Sequence, residues 1–217
     1  MLSARGAHFL AYTLTRRHDV SVVAALAFAF APYRLGQVPH IQVLASYWTP
    51  VCLAALHRLD RTARTRWAIA AAAAWTLQAL TCGHYLFFLS VLVGLWFMWC
   101  AVGRWSWRRL VVAAAPFVAG AIVLAPFLLG YQNILQGVYG FKRSIGEIRF
   151  FSADIAGLLS ASNELVAWGW LHVFHRPESE LFSGAAIVLL TGFAIARSHR
   201  ILQALTARGP LAADRHR

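Results

Sequence analysis

The sequence predicts an all-α protein: a polytopic transmembrane helical bundle of about seven membrane segments, the first incomplete, with one outer loop region containing short helices. Three observations carry this. Hydrophobic residues make up 59% of the chain and charged residues only 13%, against about 25% charged in a soluble domain. Mean hydropathy is +0.58. Apolar runs alternate with short clusters of arginine, the pattern that flanks membrane helices.

The segments follow in order. Residues 3–17 form a short apolar helix broken by Arg5 and closed by Arg16-Arg17, below the roughly 20 residues a crossing needs. It reads as the inner half of a spanning helix, as if the chain began inside a larger protein. No cleavable signal peptide is visible there. Residues 20–33 and 41–57 flank a polar turn at 34–40. Residues 67–81 carry the alanine run Ala70–Ala74, which lets neighbouring helices approach closely. Residues 84–102 give an uninterrupted apolar span. Residues 109–130 form another, with Pro116 and Pro126 inside it; membrane helices tolerate such prolines. The polar stretch 131–180 is an outer loop, 182–196 the last span. The simplest division is one membrane domain, residues 1–196, and a basic cytoplasmic tail, 197–217.

Charge fixes an orientation. With the 34–40 turn outward, fourteen of the twenty basic residues lie inside: Arg16, Arg17, four arginines in 58–66, Arg104, Arg108, Arg109 and five in the tail. The 34–40 turn, the Cys82–His84 turn and the 131–180 loop then share the outer face. Trp96, Trp99, Trp105 and Trp107 mark the inner interface. The net charge of +12 is gathered between apolar runs and follows no basic groove interleaved with aromatics, which argues against nucleic acid as a partner. Cys52, Cys82 and Cys100 lie in or beside apolar segments and read as small buried hydrophobes. No CxxC or Cys/His pair is found, so no metal site follows. His172 and His175 read as solvated loop residues. Walker, GxGxxG, HExxH and DxD patterns are all missing from the sequence.

Candidate binding residues gather on the outer face. Arg34 stands where a helix leaves the membrane; its planar fork can grip a lipid phosphate, or the side chain can snorkel to the headgroups. His40 and Gln42 can hydrogen-bond a sugar or diphosphate, or simply serve a helix N-terminus. His84 and Tyr85 sit at another outer turn, as ligands or interfacial anchors. Lys142, Arg143 and Arg149, with Glu147 between them, form a basic cluster beside Phe141, Phe150 and Phe151; it suits an anionic headgroup or a plain surface helix. Ser152 and Asp154 fit a helix N-terminus, and Glu178 and Glu180 fit the next one. Asp154 as an acid is the alternative.

Ala27–Leu59, AFAFAPYRLGQVPHIQVLASYWTPVCLAALHRL, resembles bacterial membrane glycosyltransferases of the GT-C class, whose pattern is F-x-P-[YF]-R, a G-H-[LI]-Q turn, then a helix ending in a basic loop. Here Pro39-His40 stands in place of the Gly-His pair. LQALTCGHYLFFLSVL (Leu77–Leu92) is similar to the family's L-Q-x-L-x-x-G-Y-Y segment, and FSADIAGLLSAS with PESELFSG to its Y-S-A-D loop and P-E-x-x-L-F-x-G helix entry. The resemblance implies a bacterial inner-membrane enzyme, its site facing outward, that moves a sugar from a polyprenyl-phosphate carrier to an acceptor. It implies membrane lipid and the polyprenyl-phosphate sugar donor as partners and admits a divalent metal; the residues themselves predict no cofactor. The family's catalytic acid lies in a first outer loop that this chain does not carry, so no residue is assigned as catalytic. The alternative is a non-catalytic membrane protein, a transporter component or a lipid-binding or assembly subunit. Against transport, the mid-span polar residues Thr76, Gln78 and Ser90 are uncharged.

Overall fold

The structure, a computed structural model, describes residues 1–207 except Arg104, Tyr139, residues 141–143, Ala153, His172 and residues 174–179; the side chains of Val138 and residues 199–207 are also outside the description. Lys142, Arg143, His172, His175 and Glu178 therefore lie outside the described residues, as does the tail from Arg208.

The chain is all-α. Helices α1 (Leu2–Thr15) and α2 (His18–Ala29) form a hairpin closed by Arg16 in the left-handed region, φ 58°. Pro32 occupies the first turn of α3 (Pro32–Gly36), where a missing N–H costs nothing. Then come α4 (Ile41–Leu44), α5 (Trp48–Thr62), α6 (Thr65–Thr81), α7 (Gly83–Ala101) and α8 (Trp107–Asn133). Connections of one or two residues at Ala63-Arg64 and Cys82 force α5, α6 and α7 to run antiparallel. A π-helical turn at Ile134–Val138 ends α8; α9 (Ile145–Phe150), a 3₁₀ turn at Ile155–Leu159 and α10 (Ala185–Ala207) complete the chain.

Helix α6 is the axis of the packing. Ala68, Ala71, Ala72 and Ala74 are buried, so the alanine run does admit close neighbours. One core joins Cys52 and Leu56 of α5, Ala71 and Trp75 of α6, Leu89 and Val93 of α7 and Leu124 of α8. A smaller one joins Leu59, Ala68, Cys100, Trp105 and Ala113. All three cysteines are buried. Pro116 and Pro126 are carried inside an unbroken α8.

Three helical segments among the described residues are long and apolar enough to cross a membrane, not seven: His18–Gly36, Gly83–Ala101 and Trp107–Gly137. Length is the reason. Helices α1, α5 and α6 have 14, 15 and 17 residues; at about 1.5 Å per residue they fall short of a hydrocarbon layer of roughly 30 Å. The expected span 41–57 is broken between Leu44 and Trp48, and α5 runs on past it through Arg58, Asp60 and Arg61. The last apolar stretch among the described side chains is Ala185–Ser198, and α10 itself runs on into the expected tail. The spans that do qualify wear their apolar side chains outward: only 17% of the α7 window and 11% of the α8 window is buried. Phe87, Phe88, Ile122 and Phe127 are all exposed, a surface suited to lipid.

Two boundaries also move. The loop expected from 131 begins later, because α8 and its π turn run to Val138. Of the four tryptophans expected at the interface, Trp105 is instead buried against Trp96, ring centroids 5.3 Å apart, and donates from Nε1 to Asp60 at 3.1 Å. Trp99 and Trp107 remain exposed.

Candidate functional site

The polar turn after α2 is built around Arg34, which is 8% exposed. Its Nη1 donates to Ser46 Oγ at 2.7 Å and its Nη2 to Ser3 Oγ at 3.2 Å and to the Leu44 carbonyl. The guanidinium carbon lies 5.3 Å from the Phe28 ring centroid. The side chain therefore neither snorkels nor reaches outward. It ties α1, α3 and the α4–α5 break together. Ser46, Ser3, Leu44 and Phe28 are all uncharged, and a guanidinium is a cation. A positive charge thus sits just beneath the turn.

Gln78 fixes the other side of the same break. It is 0% exposed. Its Oε1 accepts from the Trp48 and Thr49 N–H groups at 3.1 and 3.2 Å, and its Nε2 donates to the Ala45 carbonyl at 2.8 Å. One amide thus satisfies the free N–H groups that open α5. The Tyr85 hydroxyl donates to the Val43 carbonyl at 2.8 Å. His84 is exposed, with Nδ1 3.9 Å from Cys82 Sγ. A cysteine and a histidine are neighbours here after all, although a single such pair holds no metal.

The loop after α9 closes the turn from above. The Tyr33 N–H donates to the Phe182 carbonyl at 3.2 Å, and Gly184, at φ +101°, packs on Pro32. At Gly36 a Cβ would lie 3.0 Å from a Glu180 carboxylate oxygen and 3.1 Å from Ser162 Cβ. The loop is pinned to itself by Leu181 N–H to the Gly157 carbonyl at 2.9 Å and Phe182 N–H to the Ser160 carbonyl at 3.1 Å.

The structure thus gathers Arg34, Tyr85 and the 40–46 segment in one junction, with Gln42 and His84 exposed and His40 half-buried at the start of α4. Glu147 and Arg149 stand in the first and last turns of α9, each at the end its charge favours. Asp154 caps the 3₁₀ turn, accepting from the Gly157 N–H at 3.3 Å. Ser152 does not cap; its hydroxyl donates back to the Ile148 carbonyl at 2.6 Å. Ser144 is the cap of α9. The sequence reading missed Ser3, Ser46 and Glu180 as members of this junction. Gln78 carried a signal, an amide in an apolar helix; the serines carried none. Among the described residues no three His, Cys, Asp or Glu side chains stand close enough to hold a metal ion.

Basic residues collect at the other end of the helices. The N-terminal end of α1 meets the turn through Ser3, while its C-terminal end meets Arg58 through Thr13, whose Oγ1 accepts at 3.2 Å. Arg109 donates from Nη2 to the Leu59 and Asp60 carbonyls at the end of α5, at 3.3 and 2.9 Å, and stacks 3.7 Å from the Trp105 ring centroid. Comparison of the chain with protein-family models, curated proteins and solved structures finds no match.

Proposed function

We propose that this chain is an integral membrane protein whose Arg34 junction forms one wall of an outward-facing site for a polyprenyl-phosphate-linked sugar, with GT-C-like transfer as its chemistry. The carrying observation is the buried Arg34 charge, held by the neutral groups of Ser46, Ser3 and Leu44, beneath a turn that carries His40 and Gln42 and lies near His84. A fixed cation of this kind draws a phosphate to the surface above it. Exposed imidazole and amide groups then supply hydrogen bonds to phosphate or sugar. Glu180, packed on Gly36, adds a carboxylate that can accept a hydroxyl proton. The resemblance of Ala27–Leu59 and Leu77–Leu92 to GT-C enzymes points the same way, as does the lipid-suited surface of α7 and α8.

A second reading is favoured by one detail. The Arg34 guanidinium spends three of its five N–H donors on Ser46, Ser3 and Leu44 and is buried, so it can act on a ligand mainly through its field. That suits a lipid-binding or assembly protein without transfer activity.

The test uses the purified chain in lipid nanodiscs and an undecaprenyl-phosphate sugar as probe, with binding and transfer to added acceptor sugars measured separately. Gln42→Ala with His84→Ala should weaken binding about fivefold or more, the scale of one or two lost hydrogen bonds. Glu180→Gln should abolish transfer and spare binding. Binding without transfer in the unsubstituted chain selects the second reading; no binding defeats both.

A further inference from the structure

At the end of the bundle away from the Arg34 junction, α1, α5 and α6 enclose a polar cavity of about 480 Å³. Its walls include Arg16, His57, Arg58, Arg61 and Arg66, with hydroxyls from Thr13 and Thr62, and among the described residues no carboxylate. Four guanidinium groups sharing one concavity repel one another, solvent screening part of that repulsion because Arg16, Arg61 and Arg66 are exposed. The acids nearest in sequence are turned to other partners. Asp19 pairs with Arg17 at 2.5 Å, and Asp60 accepts from Trp105 on the α8 side.

Arg58 is the anchor of the cavity. Its guanidinium lies between the Phe9 and Trp67 rings, at 4.8 and 4.7 Å from their centroids, and donates one bond to Thr13. Its Nε is buried without a hydrogen-bond partner, an arrangement that leaves an N–H donor unsatisfied. The aromatic sandwich holds the fork in place in advance, so little side-chain freedom remains to be lost on binding. Arg66 reinforces the case. It stands in the first turn of α6, a helix with no acidic residue there and no side-chain cap. The helix dipole disfavours a cation at that end and favours an anion.

We infer that this cavity is a binding site for a phosphate-bearing anion, distinct from the outward junction and separate from any sugar transfer there. The shared chemistry is a phosphomonoester or diphosphate group gripped by arginine forks. It can arrive as a phospholipid headgroup from the adjoining leaflet or as a soluble phosphate compound.

Two probes separate the sources: inorganic pyrophosphate added to the detergent-solubilised chain, and nanodiscs containing phosphatidic acid in place of phosphatidylcholine alone. Binding is read by calorimetry for the first and by native mass spectrometry of retained lipid for the second. The paired variant Arg61→Gln with Arg66→Gln changes exposed side chains, so the fold is not put at risk. It should lose about tenfold or more in affinity for whichever probe binds, the scale of lost charge-assisted hydrogen bonds. The control, Arg64→Gln with Arg17→Gln, removes the same charge from arginines outside the cavity lining and should change affinity less than about twofold at 0.15 M salt. Binding of pyrophosphate identifies a soluble ligand; binding of phosphatidic acid alone identifies a headgroup. Failure of the unsubstituted chain to bind either probe overturns the inference, and so does an equal loss in the control, which would leave only a diffuse basic surface.

Discussion

Gln78 shows what one buried amide does in an apolar setting. Its oxygen and nitrogen serve three backbone groups from the break before α5, across 29 to 33 residues of sequence. Without it, two N–H groups and a carbonyl would be left without partners away from water, which is costly. Gln78→Leu should therefore destabilise the fold by about 2–4 kcal/mol, since each orphaned group costs about 1–3 kcal/mol less whatever relaxation recovers. Thr81→Val is the comparison: the Thr81 hydroxyl back-bonds to Leu77 of its own helix in an exposed bond, and its loss should cost far less. Thermal unfolding of both variants in the same detergent, followed by circular dichroism, reads the difference. Equal midpoints would refute the role given to Gln78. Arg34 belongs to the same scale. Its position at the end of an apolar segment was legible in the sequence, but its burial was not, because Ser3 and Ser46 stand 31 and 12 residues away.

Helices meet here where a side chain is missing. Helix α1 crosses the start of α5 at Gly6, where a Cβ would lie 2.5 Å from the Tyr47 carbonyl oxygen and 3.0 Å from Pro50 Cγ. Backbone cannot step aside as a side chain can, so Gly6→Ala should separate α1 from α5 and cost about 1–3 kcal/mol. Gly94→Ala is the matched control, because nothing lies within 4 Å of a Cβ there. Helix propensity should then make that variant neutral or slightly stabilising. Unfolding midpoints that fell equally for the two would show that α1 does not pack as described. The pattern of apolar runs located most of these helices. It erred on lengths because hydropathy ignores where a chain must break. Residues 41–57 read as one apolar run, yet Arg34 and Gln78 both claim backbone groups between Leu44 and Thr49, and the helix stops there.

Polarity from one end to the other is the property of the whole molecule. The Arg34 junction lies at the end where α1 begins; Arg16, Arg58, Arg61 and Arg66 surround a cavity where α1 ends. If the three membrane-length helices cross a bilayer, these ends face opposite sides. Single cysteines test this, since Cys52, Cys82 and Cys100 are buried. Val38→Cys, at an exposed position of the turn, should label with a membrane-impermeant maleimide on intact cells. Arg61→Cys, also exposed, should label only after the cells are opened. Labelling of both on intact cells would reject the orientation.

Helical class, the apolar character of α2, α7 and α8, and the separation of basic clusters from the polar turn were all determined by sequence, since composition and charge spacing are local quantities. Tertiary structure alone decided that, among the described residues, three helical segments and not seven are long and apolar enough to cross a membrane. It also decided that Arg34 is buried among neutral partners, that Glu180 packs on Gly36, and that four arginines share one cavity. Each of these depends on which distant groups must satisfy a buried donor or fill a concavity. Buried polar groups take whatever partner the packing offers, and that choice is made across tens of residues.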